Sequence, residues 1–492
     1  MFVRRRRRPR ATLAKASAPV HGPPGPAPPA AHPPARRFIS WTALALLTVG
    51  SVGNLGSAPP LAVLGLASVF LYVLPALVFL VPISLVAAEL ASGWPGGVYN
   101  WVSQGISAPT GLLAVWCEFA QTIFLYPALL AYVAGTLAYV FDPGLAANGV
   151  YNAVVIIVLF WGGVLLCSLG PALVARLGSG GTRIGTLIPA AILVALGVAY
   201  LVQGHHSAAP INARHLLPAW TGLSSIVLVV NSFFTYAGVE VNAVHIDELQ
   251  AFNTLFTHFG VGWAVPLIAI ALAVGALAGM ISWLDGPSEG LLLIGRQQGF
   301  LPPWFQKVNR YGIEVRIIAA QGVVITLIAV LYAFVPSVSH AYWVFTALAT
   351  QVYLIMYVLM FIAAVRLRRA QPDHPRGYRA PALGLLCLLG GVSSVAALVI
   401  GFIPPSQFGH SNPLTYAIEI LAGILAIGIV PPLLMDRLRK PSWKAKPKDF
   451  LPNGPWFPSP SPLRAHPARG LTGRLTGIRY NALQGDPDGS VD

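Results

Sequence analysis

The chain has 492 residues, of which 55 % are hydrophobic and only 10 % charged, against about 25 % charged in a typical soluble domain. That balance excludes an ordinary water-soluble globule and predicts a chain lying largely in lipid. The formal charge of +15 does not advertise nucleic-acid binding, because Lys and Arg gather at the ends of apolar runs, as they do on the cytoplasmic flanks of membrane helices.

Residues 1–37 hold the block Arg4 to Arg8, then Arg10, Lys15 and a Pro/Ala-rich stretch ending in Arg36 and Arg37. With nothing to bury, this reads as a disordered cytoplasmic tail. From Phe38 to residue 435 the sequence predicts an all-α polytopic membrane domain with eleven candidate spans: 38–60, 66–90, 111–140, 152–173, 183–202, 220–246, 262–285, 316–336, 340–366, 381–403 and 413–435. Each is about 20 residues or longer, enough to cross a hydrocarbon core of about 30 Å as a helix. Residues 436–492 read as a second cytoplasmic or disordered tail. Cys117, Cys167 and Cys387 sit singly in apolar runs and read as buried fillers. No His/Cys/Asp/Glu spacing recommends a metal, and no cofactor motif is present.

Two spans carry interruptions. The first holds Gly50, Gly53 and Gly56 before Pro59 and Pro60; the sixth holds Gly238 just ahead of Glu240. Gly and Pro free main-chain groups within lipid, which must then be satisfied by protein, water or ligand. Packing alone is the competing reading, since small residues are common where membrane helices touch.

Loop charges give two topological readings that collide. Nine Lys/Arg in the amino-terminal tail, with Arg176 and Arg183 between spans four and five against Arg214 alone in the next loop, place the sixth span's end inside. After the seventh, ninth and eleventh spans come fifteen Lys/Arg, and the alternate loops hold none. One crossing between those halves would put all fifteen outside, and the stretch from Leu249 to Val261 is too short for another crossing.

Long stretches resemble the glutamate:GABA antiporter branch of the amino acid, polyamine and organocation transporter superfamily. They include GLASVFLYVLPALVFLVPISLVAAELASGWPGGVYNWV from Gly65, IFLYPALLAYVAGTLAY from Ile123, FFTYAGVEVNAVH from Phe233, ISWLDGPSEGLL from Ile281, LPPWFQKVNRYG from Leu301 and QVYLIMYVLMFIAAVRLRRAQPDHPRGYRAP from Gln351. The resemblance implies an inverted-repeat, broken-helix carrier of twelve helices. Here Asp247-Glu248-Leu249 runs straight into Gln250-Ala251-Phe252, so the family's seventh helix is missing at a deletion-like junction near 249–250.

The resemblance further implies a secondary transporter or antiporter in the bacterial inner membrane, working by alternating access on glutamate, GABA or related amino acids. Its substrate would meet the broken helices at Gly53, Gly56, Ser57, Tyr236 and Gly238. The branch's Arg-Asn pair in the first helix is replaced by Gly56-Ser57, which weakens the case for an acidic substrate. Glu240, within an apolar stretch, is expected to pair with the substrate amine, to gate by carrying a proton or to hold the helix break through backbone N–H groups. Glu89, before the gate-like Gly93-Trp94-Pro95-Gly96-Gly97, is a gating candidate, as are Asp285 and Glu289, which with Ser282 and Trp283 would form a hinge or be ordinary helix-end residues.

Glu118 and Gln121 share a helix face, and Tyr126 follows two turns on; substrate contact and interhelical bonding both explain them. Tyr353 and Tyr357 share another face, toward a cavity or toward packing neighbours. The rival readings are a non-transporting paralogue missing one helix, a broader amino acid or polyamine permease, a channel, and a membrane-embedded enzyme.

Overall fold

The structure, a computed structural model, describes residues 65–205, 216–217, 245–334, 337–404 and 412–445. These residues are helical, with no strand among them. In chain order the helices are α1 (Ala67–Gly93), α2 (Gly97–Gly105), α3 (Ala108–Phe141), α4 (Gly149–Ser168), α5 (Pro171–Val202), α6 (His245–His258), α7 (Val265–Gln298), α8 (Val315–Tyr332), α9 (Val338–Ala370), α10 (Leu383–Ile400) and α11 (Pro413–Leu438). All but α2 and α6 are long and apolar enough to cross a bilayer, nine spans among the described residues. They match nine of the eleven predicted spans; those at 38–60 and 220–246 lie outside the described residues.

Local chemistry sets several helix starts. Side chains of Ser107, Asn148, Ser337 and Asn412 accept from the first-turn N–H groups of α3, α4, α9 and α11, satisfying donors that a helix cannot satisfy itself. Gly299, at φ +75°, stops α7 because glycine adopts the left-handed C-terminal position without a steric penalty.

Three boundaries differ from the sequence expectation. Residues 171–173, read as the end of the fourth span, and 174–182, read as a loop, form the first turns of α5. Its glycines press it onto α7: a Cβ at Gly181 would lie 2.3 Å from that of Ala278, and one at Gly185 2.2 Å from the Gly275 nitrogen. Close packing thus overrides weak helix propensity. Beyond 285, α7 continues through Gly286 and Pro287 to Gln298, since Leu291, Leu292 and Ile294 bury against α3 and Phe300. The short helix α2 was not expected; it buries Tyr99, Trp101 and Val102.

The core is built around α3 and α9, whose most apolar windows are 83 % and 72 % buried, whereas that of α5 is 11 % buried and faces outward. Charge is segregated along the bundle. Arg296, Lys307, Arg310 and Arg316 lie between the later part of α7 and the start of α8; Arg366, Arg368, Arg369, Arg376 and Arg379 follow the end of α9; Arg437, Arg439, Lys440 and Lys444 close α11. Contacts of Glu89 with Arg368, of Ser168 with Asn309 and of Gln298 with Arg439 bring these segments to one end. Arg176 and Arg183 lie in the half of α5 nearer that basic end, and the described connections at the opposite end contain neither Lys nor Arg.

The colliding charge readings left the direction of the second half open. In the described helices the basic segments of both halves share one end. At the opposite end, His258 of α6 meets Gln203 at 3.4 Å, and its ring packs on Tyr200 and His205 of the α5 terminus. Phe252 and Phe256 of α6 cluster with Tyr139, Leu196 and Val265. So α5 leaves and α7 enters at the same end.

Candidate functional site

Of the residues singled out from sequence, Gly53, Gly56, Ser57, Tyr236, Gly238 and Glu240 lie outside the described residues. Asp285 falls within α7, its side chain outside the described part. Tyr126, Tyr353, Glu89 and Glu289 are described, and the bundle separates them into three environments.

The first is a sealed joint. Tyr126 is 1 % exposed, its ring 5.6 Å from that of Phe160 and its hydroxyl in contact with Thr122. Thr122 Oγ1 donates to the Phe119 carbonyl and accepts from Gln321 Nε2 at 2.6 Å, tying α3 to α8. Tyr126 therefore reads as part of an interhelical polar bridge in this conformation.

The second is an aromatic cluster between α1, α3, α7 and α9. Tyr353 and Tyr357 pack with centroids 4.7 Å apart and hydrogen-bond through their hydroxyls. Trp283 meets Tyr353 edge-on at 6.2 Å, and Phe79 meets Tyr357 at 5.4 Å. The Glu118 carboxylate lies within electrostatic reach of both tyrosines and forms no hydrogen bond among the described residues. One turn along, Gln121 is fully buried with both amide atoms unpaired there. An unpaired buried amide costs about 1–3 kcal/mol, so this face of α3 is suited to a polar ligand.

Glu118 also borders a cavity of about 570 Å³ toward the basic end, which Glu289 and Gln297 of α7 and Tyr99 and Asn100 of α2 share. The loop before α2 turns through Gly96 and Gly97 at φ +111° and +71°. A Cβ at Gly96 would strike the Asn100 amide, which itself donates to the Pro95 carbonyl. No side chain caps α2, so its first-turn N–H groups border the same space as two carboxylates. Burial pushes the Tyr99 phenol above its ordinary pKa, with Arg439 pulling the other way; it stays a neutral hydrogen-bonding group at physiological pH.

The third is a charged latch. Glu89, at the end of α1 and 2 % exposed, accepts from Arg368 Nε at 3.0 Å and Nη2 at 2.5 Å, from Arg376 Nη1 at 2.7 Å and from the Ala380 amide at 2.8 Å. Trp94 stacks on His374 at 4.7 Å, lies under the Arg376 guanidinium and donates Nε1–H to Gln371. The glycine-rich segment after α1 is thereby pinned to the α9–α10 loop.

The sequence profile of the amino acid permease family matches residues 39–256 and 244–427. The chain belongs to the amino acid permease family. An uncharacterised transporter of Legionella pneumophila is 30 % identical over 450 aligned residues, covering 80 % of this permease and 96 % of that protein. A glutamate/gamma-aminobutyrate antiporter of Lactococcus lactis is 27 % identical, with 80 % and 90 % covered, and a probable agmatine/putrescine antiporter of the same species is 22 % identical, with 77 % and 91 % covered. An alignment of 450 positions that takes in 80 % of a 492-residue permease leaves several dozen positions of the Legionella protein facing no residue here.

Sequence reasoning placed Glu89 at a gate but supplied no partner. Arg368 and Arg376 entered it only as topological charges, although the Pro/Gly-rich PDHPRGYRAP that follows Gln371 marks a loop that must be held by something. Gln321 and Thr122 gave no sequence signal, because a single polar residue in an apolar span shows no partner in one dimension.

Proposed function

We propose that this permease exchanges small amino acids and related amines by alternating access across a bacterial plasma membrane, its basic end cytoplasmic. Bacterial relatives, the antiporter among them, support the setting, and the segregation of Lys and Arg supports the orientation. The observation that carries the reading is Glu118: a carboxylate without a hydrogen-bond partner among the described residues, beside Tyr353 and Tyr357 and open to the cavity bordered by Glu289.

Such a space complements a zwitterion. An ammonium group is drawn to the carboxylates and aromatic faces, and a substrate carboxylate to the free N–H groups of α2. Glu89 and its arginines would hold the adjoining gate, Glu289 would attract amines entering from the cytoplasm, and Tyr353 would border the bound solute. The paired carboxylates favour a second substrate class, diamines and guanidino-amines, in keeping with the agmatine/putrescine relative.

One crossing is proposed to be missing near residues 249–250. Supporting this are the two profile matches, which overlap over 244–256, and the unmatched positions of the Legionella protein. That α5 ends and α7 begins at the same end also supports it, since the sequence between them offers one apolar stretch of spanning length, 220–246. A non-transporting paralogue is the alternative.

Reconstitution decides. Liposomes loaded with unlabelled glutamate, GABA or putrescine are expected to take up the labelled compounds only when loaded, and Glu118→Gln to lower that uptake. No counterflow with any of these by monodisperse, correctly oriented protein would overturn the assignment and leave the non-transporting reading.

A further inference from the structure

On the outer side of α9 and α10 runs an apolar groove of about 690 Å³, walled by Val358, Ile362 and Val365 of α9 and by Leu388, Val392 and Val395 of α10. The helices touch at Gly390, where an added Cβ would come within 2.2 Å of the Phe361 ring. Beside that contact, Gly384 and Gly391 form part of the lining. A Cβ at Gly384 would meet nothing within 4 Å, and one at Gly391 would meet only Phe361 Cβ, at 4.0 Å. The groove is thus genuine open volume cut by two missing side chains, on a surface turned toward lipid.

At its basic end stands Arg366. It is exposed and, unlike Arg368 and Arg376 on the same elbow, has no hydrogen bond, ion pair or ring contact among the described residues. A guanidinium there sits at headgroup depth, with a fork of donors that matches a phosphate. An apolar trough below it and a free cation above it reproduce the two chemistries of one lipid molecule, acyl chain and anionic head.

We propose that the α9–α10 groove binds an anionic phospholipid of the leaflet at the basic end, one acyl chain lying over Gly384 and Gly391 and the phosphate meeting Arg366. The site is separate from the cavity at Glu118, and the proposal stands or falls independently of the transported substrate.

Native mass spectrometry of the full chain, released from mixed phosphatidylglycerol and phosphatidylethanolamine micelles, tests it with two variants. Wild type is expected to retain one phosphatidylglycerol in preference to phosphatidylethanolamine. Arg366→Gln, at an exposed position, removes about fivefold of that preference, the worth of one cation near a membrane surface. Gly391→Leu fills the trough and abolishes retention of both lipids, with thermal midpoint and elution volume unchanged. Equal retention by wild type and both variants overturns the proposal. So does a Gly391→Leu protein that keeps its lipid but elutes as a smaller assembly than wild type, which would assign the groove to a second copy of the chain.

Discussion

Glu89 and Arg376 meet at 2.7 Å with side chains 2 % and 4 % exposed, so the end of α1 and the loop after α9 are joined by an ion pair that water scarcely reaches. Arg368 forks onto both oxygens of the same carboxylate, so one Glu89 holds two guanidiniums. Removing one partner of a buried pair is costly because it strands the other.

Glu89→Gln is therefore expected to lower stability by about 3 kcal/mol, read as a fall in thermal midpoint in detergent. Arg369→Gln, on an exposed neighbour, serves as the control. Equal midpoints for the two variants would mean that the latch contributes nothing.

Glu118→Gln is expected to leave the fold intact and raise KM for amine-bearing substrates about tenfold, the equivalent of about 1.4 kcal/mol of lost charge attraction. Glu118→Asp should restore part of it. A fall in kcat with unchanged KM would place Glu118 in the conformational step instead.

The bridge between Thr122 and Gln321 predicts strong non-additivity. Thr122→Val or Gln321→Leu alone strands a buried polar group and should cost about 1–3 kcal/mol, whereas the double variant should cost less than the sum of the two. Additive losses in midpoint would count against the 2.6 Å bond.

Gly185→Ala should destabilise by about 1–3 kcal/mol through overpacking against α7, while Gly180→Ala, whose added Cβ meets nothing within 4 Å, should be neutral or stabilising by about 0.5–1 kcal/mol. Chemical denaturation of the two proteins side by side makes the comparison.

The fold class and nine of the spans were legible because hydrophobic length is a one-dimensional property. Where a boundary was missed, three-dimensional contact decided it: the stretch before 183 has no strong apolar signal of its own until α7 lies against Gly181 and Gly185, and the turns after 285 are helical because α3 is there for them to bury upon. Of the site, Tyr353 and Glu289 were legible as polar residues on helix faces. The joining of Glu118 to both tyrosines, and of Glu89 to two arginines some 280 positions away, depends on tertiary pairing that periodicity does not encode. Tyr126 illustrates the reverse: a residue suited to lining a pocket is closed off by Phe160 and Thr122.

Where α5 crosses α7, bare main chain faces bare main chain at Gly185 and Gly275. With no side chain between the two backbones, the axes draw as near as main chain allows. The outward-facing α5, which buries little else, is thus moored to the bundle at a spot that tolerates no added atom.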